Sequence, residues 1–261
     1  MNYKIYQVDA FAENVFQGNP AAVCPLNEWI SDELLLKIAA ENNLSETAFY
    51  VTKEESVEIR WFTPNTEVDL CGHATLATAF VLINNENYNK NVIPFFSLRS
   101  GKLPVTVNKD SFTLNFPLDE MKEIQLTDEL INVTSIKPTF AYKGKSDIML
   151  VFENETDIEN LQPHLSVIEK LDARGLIVTA EGKDCDFVSR FFGPQVGVNE
   201  DPVTGSAHTT LAPYWANRLN KRELDAEQVS ARKGKLKCKI VDNRVEITGK
   251  AILYMKGEIY L

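Results

Sequence analysis

The sequence predicts an α+β fold and disfavours a doubly wound parallel sheet. Strand-like segments outnumber helical ones about two to one, and they do not alternate regularly with helices. Two small-residue helical segments also open on a glycine at matching places in the two parts of the chain, Gly72 and Gly205. The elements follow in order. KIYQVDAF alternates apolar and polar side chains with period two, breaks at the Gly18-Asn19-Pro20 turn and resumes as AAVC, which reads as strand, loop, strand. Ser31 is a candidate N-cap, followed by Asp32 and Glu33 in the first turn and by Leu34, Leu35, Ile38 and Ala39 at helical spacing. TAFYV and VEIRWF read as strands, the second ending at Pro64.

At Gly72 the pattern changes. Leu76, Ala79, Phe80 and Ile83 recur at i, i+3, i+4 and i+7, and the alanines between them suit a helix buried on most sides. PFFSLRS, KLPVTVN and SFTLNF then read as antiparallel strands joined by Ser-Gly and Lys-Asp turns. LDEMKEIQLTDELI, after Pro117, is charged and only weakly periodic, so a domain boundary is placed there. Beyond it DIMLVFE, GLIVTAE and CDFVSRFF read as strands, PHLSVIEKL as a helix, and GSAHTTLAPYWANRL as a second helical segment opening at Gly205. The tail KLKCKIVDNRVEITGKAILYMKGEIYL is a run of strands turning at Asp242 and Asn243.

Sliding the chain against itself by 133 residues pairs Glu67–Ala79 with Glu200–Ala212 and matches Glu67 with Glu200, Gly72 with Gly205, Ala74 with Ala207 and Ala79 with Ala212. Either these are two independent helix starts, where Gly and Ala are common, or the chain carries an internal repeat. In a repeat, the first turn of each helix offers unpaired N–H groups and a positive dipole end, a ready site for a small anion.

The composition narrows the partners. With 261 residues the chain allows one or two domains, and 44% hydrophobic and 25% charged residues are ordinary for a globular protein. A net charge of −10 repels phosphate backbones and anionic membranes, so no nucleic-acid or membrane partner is expected. Contact hydrogen bonds from helix starts could still hold a carboxylate, because the global field is screened beyond about 8–10 Å. Cys24, Cys71, Cys185 and Cys238 form no CxxC pair, which argues against a disulfide framework and a structural zinc site and fits a reducing cytoplasm. No continuous apolar run marks a signal peptide or a membrane span.

Several residues could carry chemistry. Glu46 stands where a helix gives way to an apolar strand: a poorly solvated carboxylate there suits general acid/base work, and the alternative is a surface glutamate beginning a strand. His73 and His208 each lie in the first turn of an echoed helix, as active-site groups or as hydrogen-bonded structural histidines. Asp201 stands in an Asp-Pro turn that it could simply shape, and Ser206 could donate a hydrogen bond but lacks the GxSxG setting of a nucleophile. Cys71 precedes a helix N-terminus, a place that lowers a thiol pKa. No HExxH or comparable cluster is present, so no metal is expected; Lys145-Ser146 imitates the end of a phosphate loop without its first glycine.

Taken together, QVDAFAENVFQGNPAAV, LSETAFYV, RWFTPNTEVDLCGHATLATA and NEDPVTGSAHTTLAPYW, with the later QVSARKGKLK, resemble the phenazine-biosynthesis PhzF-like family in order and spacing over nearly the whole chain. The resemblance implies a diaminopimelate epimerase-like fold: two similar halves, each a curved mixed or antiparallel sheet wrapped around a central helix, with the active site in the cleft between them. It places the halves at residues 1–116, completed by a strand at about 250–261, and 117–249. It also implies a general acid/base at Glu46, with His73, Asp201 and Ser206 lining the cleft and no cofactor. Substrate contacts are expected from Asn19, Cys71, Gly72, Thr204, Gly205 and Ser206. The expected reaction is a proton shift between carbons of a small carboxylate-bearing substrate, and the resemblance implies a homodimer. Two-cysteine racemisation is disfavoured, since the echo sets Thr204, not a cysteine, opposite Cys71.

Overall fold

The computed structural model describes residues 2–261. It separates into two compact units, one running up to Asn115 and resuming over Thr248–Leu261, the other Phe116–Ile247.

The first unit is built from β1 (Asn2–Ala10), β2 (Asn19–Leu26), α1 (Asp32–Asn42), β3 (Glu46–Thr52), β4 (Val57–Phe62), β5 (Glu67–Val68), α2 (Gly72–Asn85), β6 (Val92–Ser97), β7 (Gly101–Asn108) and β8 (Ser111–Pro117). β1 lies antiparallel to β2, β2 parallel to β3, β3 antiparallel to β4, and β4 pairs with β5 antiparallel and β6 parallel. The C-terminal strand Ala251–Tyr260 runs antiparallel along the whole of β1, from Asn2 against Tyr260 to Ala10 against Ala251. α1 forms because Ser31 caps it, its hydroxyl accepting from the Leu34 N–H, and it stops where Asn43 turns left-handed. Its buried Leu35, Ile38 and Ala39 pack with Cys24, Phe49, Val51 and Phe62 on one face of the sheet. α2 packs against β1, β2 and β3 as well. With helices supplying apolar cover, β3 is buried continuously from Thr47 to Val51 rather than alternately. α2 itself is buried from His73 through Ala79, and its hydroxyls are satisfied within the helix, Thr75 donating to the Cys71 carbonyl at 2.6 Å and Thr78 to the Ala74 carbonyl at 2.7 Å.

The second unit contains β9 (Lys122–Ile124), α3 (Asp128–Ile131), β10 (Phe140–Lys143), β11 (Asp147–Val151), α4 (Glu155–Asn160), α5 (Leu165–Ile168), β12 (Gly175–Glu181), β13 (Phe187–Gly193), β14 (Val198–Asp201), a 3-10 turn at Gly205–Ala207, α6 (His208–Leu219), β15 (Glu223–Gln228), β16 (Gly234–Val241) and β17 (Arg244–Gly249). Its pairing sequence repeats that of the first unit. β10 and β11 are antiparallel, β11 and β12 parallel, β12 and β13 antiparallel, and β13 pairs with β14 antiparallel and β15 parallel. α2 and α6 thus occupy the same place in two copies of one topology. The echo's first identity has a structural cause. Arg60 grips Glu67 with two hydrogen bonds and lies over Phe62, and Arg190 grips Glu200 in the same way and lies over Phe192. The repeat is therefore structural, and the chain has two similar halves.

Three sequence expectations change. The Gly205 segment opens with one 3-10 turn before its α-helix, PHLSVIEKL keeps only one helical turn (Leu165–Ile168), and the charged stretch after Pro117 contains β9 and α3. No helix among the described residues is long and apolar enough to cross a membrane.

Candidate active site

In the first unit Glu46 is the first residue of β3, and strand parity decides where it points. Phe49 and Val51 face α1, so Glu46, at the other parity, shares a face with Ala48 and Tyr50. His73, the second residue of α2, meets it there: Nε2 lies 3.3 Å from Glu46 Oε2, with the two side chains 7% and 18% exposed. Cys71, the N-cap of α2, puts Sγ 3.5 Å from His73 Nδ1. Burial lowers the His73 imidazole to about 3, so at neutral pH it is uncharged and its approach to Glu46 is a close polar contact rather than an ion pair. A neutral ring has one N–H. Nδ1, against the Cys71 sulfur, either accepts from the thiol or donates to it according to which nitrogen carries that hydrogen. Ligand atoms of Glu46, Cys71 and His73 all lie within 4.8 Å of one another, a donor set that a soft divalent ion could use, one short of a closed structural zinc site. Asn19, at the start of β2, is buried two residues before Ala21, which pairs with Glu46.

In the second unit Asp201 ends β14, and its Oδ2 accepts from the Thr204 hydroxyl at 2.5 Å. The fully buried Gln228 on β15 holds this turn from behind, donating to the Asp201 carbonyl at 2.7 Å and accepting from the Thr204 N–H at 2.8 Å. The Thr204 carbonyl accepts from His208 Nδ1 at 2.9 Å. Every polar group of Thr204 is thus engaged inside the unit, which makes it the anchor of the turn rather than an open contact. His208 is completely buried, its pKa lowered to about 4 by that burial, and its Nε2 makes no hydrogen bond. Gly205 and Ser206 follow at the helix start, where first-turn N–H groups lack intrahelical partners.

Sequence reasoning missed Arg174, Asp147 and Gln228. Arg174 Nη1 donates to Ser206 Oγ at 3.1 Å, while its Nε and Nη2 grip the buried Asp147 carboxylate at 2.9 and 2.5 Å. No motif flags an Asp-Ala-Arg-Gly turn; the available signal was the repeat, because Gly175 opens β12 just as Glu46 opens β3.

The repeated mixed sheet with a buried helix defines the class, a mixed α/β fold. A "predicted epimerase" of Pseudomonas aeruginosa shares it with a TM-score of 0.74 at 17% identity, covering 99% of both chains, a likeness of fold alone. The family is closer still. The "Phenazine biosynthesis-like protein" family matches residues 8–257, and the chain belongs to it. A crystal structure of a PhzF-family protein from Enterococcus faecalis superposes with a TM-score of 0.98 at 48% identity over 100% of both chains. A protein of Pseudomonas aeruginosa named an uncharacterized isomerase is 52% identical over 261 residues, again 100% of both.

Proposed function

We propose that this protein is an isomerase that needs no cofactor and moves a proton between carbons of a small carboxylate-bearing substrate, with Glu46 as the general acid/base. The observation that carries this reading is the Glu46 carboxylate at the mouth of β3, 3.3 Å from a buried, neutral His73. The isomerase name of the relative that is 52% identical supports it. In this scheme Glu46 takes a proton from one carbon and returns it to another on the same face. Electron density left on the substrate is stabilised by preorganised donors of the first unit, His73 and the helix-start N–H group at Gly72. His73 acts without changing charge, packed against the Glu46 carboxylate.

Incubation with a metabolite panel in D₂O tests the reading. The expected result is deuterium entering one carbon of a carboxylic acid as a proton leaves another. Glu46→Gln should lower that rate by roughly 10² to 10⁴, the usual contribution of a positioned acid/base, while leaving binding largely intact. Near-normal turnover in that variant removes Glu46 from the role. The placement of Cys71 Sγ in contact with His73 favours one second reading, an amino-acid epimerase with Glu46 and Cys71 as unequal partners. Deuterium entering with inversion at a single carbon would select it. Tight binding with no exchange at any carbon would identify a binding protein on the same fold.

A further inference from the structure

The repeat sets Gly175 in the register position of Glu46 and leaves Arg174 one residue ahead of it, at the entry to the equivalent strand. In the first unit the residue opening the third strand of the repeat, Glu46, meets the second residue of the central helix segment, His73. In the second unit the residue just before the equivalent strand, Arg174, meets the equivalent helix-start residue, Ser206, at 3.1 Å. One copy of the motif presents a carboxylate and the other a guanidinium. We infer that Arg174 is a specificity-determining residue, whose two uncommitted N–H groups act together with the Ser206 hydroxyl to bind an oxyanion of the substrate, a carboxylate or a phosphate.

A guanidinium has five N–H donors. Arg190 commits four of them inside the unit, two to Glu200 and two to the Ile158 and Leu161 carbonyls, and is 12% exposed. Arg174 commits three, two to Asp147 and one to Ser206, and is 38% exposed. The remaining two lie on a group whose position is built from below. Asp147, 4% exposed, fixes one edge, and the guanidinium rests over the buried Phe191 ring at 5.3 Å. Gly175 makes room for that ring, since a Cβ there would fall 2.3 Å from Phe191 Cζ. Because Arg174 donates into Ser206 Oγ, the serine hydroxyl hydrogen is free to point elsewhere, and whatever it meets must accept. Two guanidinium N–H groups and one hydroxyl donor, beside the Gly205 and Ser206 N–H groups, select an anion.

The inference rests on the proposed isomerase only in taking this anion as part of the substrate. The probe is fluoroacetate, with uncharged fluoroacetamide as its control, titrated into the full-length protein by ¹⁹F NMR. Fluoroacetate should bind and fluoroacetamide should not. Arg174→Gln should weaken fluoroacetate by about tenfold or more, the scale of a charge-assisted pair. Asp147→Asn should act in the opposite direction, tightening fluoroacetate several-fold, because the guanidinium charge is then uncompensated. Removing Arg174 alone strands a buried carboxylate and could unfold the unit, so the neutral double variant Asp147→Asn/Arg174→Gln carries the same test in a matched pair. Unchanged binding in the double variant, or weaker binding in Asp147→Asn, overturns the assignment, since a purely structural ion pair gives no opposed shifts. The two readings fail separately. Binding through Arg174 without carbon–hydrogen exchange removes the isomerase and keeps Arg174, whereas exchange together with fluoroacetate binding that ignores Arg174 does the reverse.

Discussion

His73 and His208 are both buried, and burial lowers the first to about 3 and the second to about 4. In an unfolded chain a histidine titrates near 6.5. Between those values the unfolded chain binds protons that the native chain refuses, so native stability rises with pH across the window. The stabilisation is present in full above about pH 6.5 and is lost as pH falls towards 4. Denaturant midpoints should therefore be flat from pH 7 to 8 and decline between pH 6.5 and 4. His208→Gln, which keeps an N–H for the Thr204 carbonyl, should make the decline shallower; an identical slope in that variant would show that His208 is not its source. Residue type was legible in the sequence and residue state was not. The one-dimensional pattern set His73 and His208 in matching helix starts, but the packing of Phe187 against His208 and the approach of Glu46 to His73 come from distant segments.

At the scale of the element, local rules carried well where the chain interacts with itself over short distances. Ser31 caps α1, Gly72 opens α2, and the hairpins of β6, β7 and β8 turn at Gly101 and between Asn108 and Ser111. The two-residue β5 and the four-residue β14 have too few side chains to show a period and exist because β4 and β13 offer them an edge. The turn into β2 shows a local requirement at its strictest. Gly18 has φ +67° and stands so close to β1 that a Cβ would lie 2.1 Å from the Ala10 carbonyl oxygen. Gly18→Ala combines a left-handed backbone with a clash against main chain, and should cost about 1–3 kcal/mol or more in chemical denaturation. A neutral substitution would mean that the turn can rebuild without moving Asn19.

On the scale of the whole molecule, the C-terminal strand is the farthest-reaching contact among the described residues, joining residues 251–260 to residues 2–10. β1 is paired with β2 from Tyr6 to Ala10, while its first four described residues, Asn2 to Ile5, pair with the C-terminal strand. Truncation after Lys250 should expose that edge and the buried Ile5 and Val8, giving a large drop in melting temperature and a tendency to aggregate. A melting temperature close to that of the full chain would show that β1 holds without its partner. A short-range donor set such as Arg174 with Ser206 acts independently of the net charge of −10.

By itself the sequence determined the α+β class, the two small-residue helices and the family resemblance, and it marked Glu46, His73, Asp201 and Ser206 as candidates, because period, turn chemistry and motif are written in neighbouring residues. Only the tertiary structure decided that one topology is repeated, that His73 is neutral beside Glu46, and that Arg174 stands at Ser206. Those facts depend on strand register and burial between segments tens of residues apart. A carboxylate or guanidinium acquires its partners, its exposure and its charge state only when the sheets and helices around it are assembled.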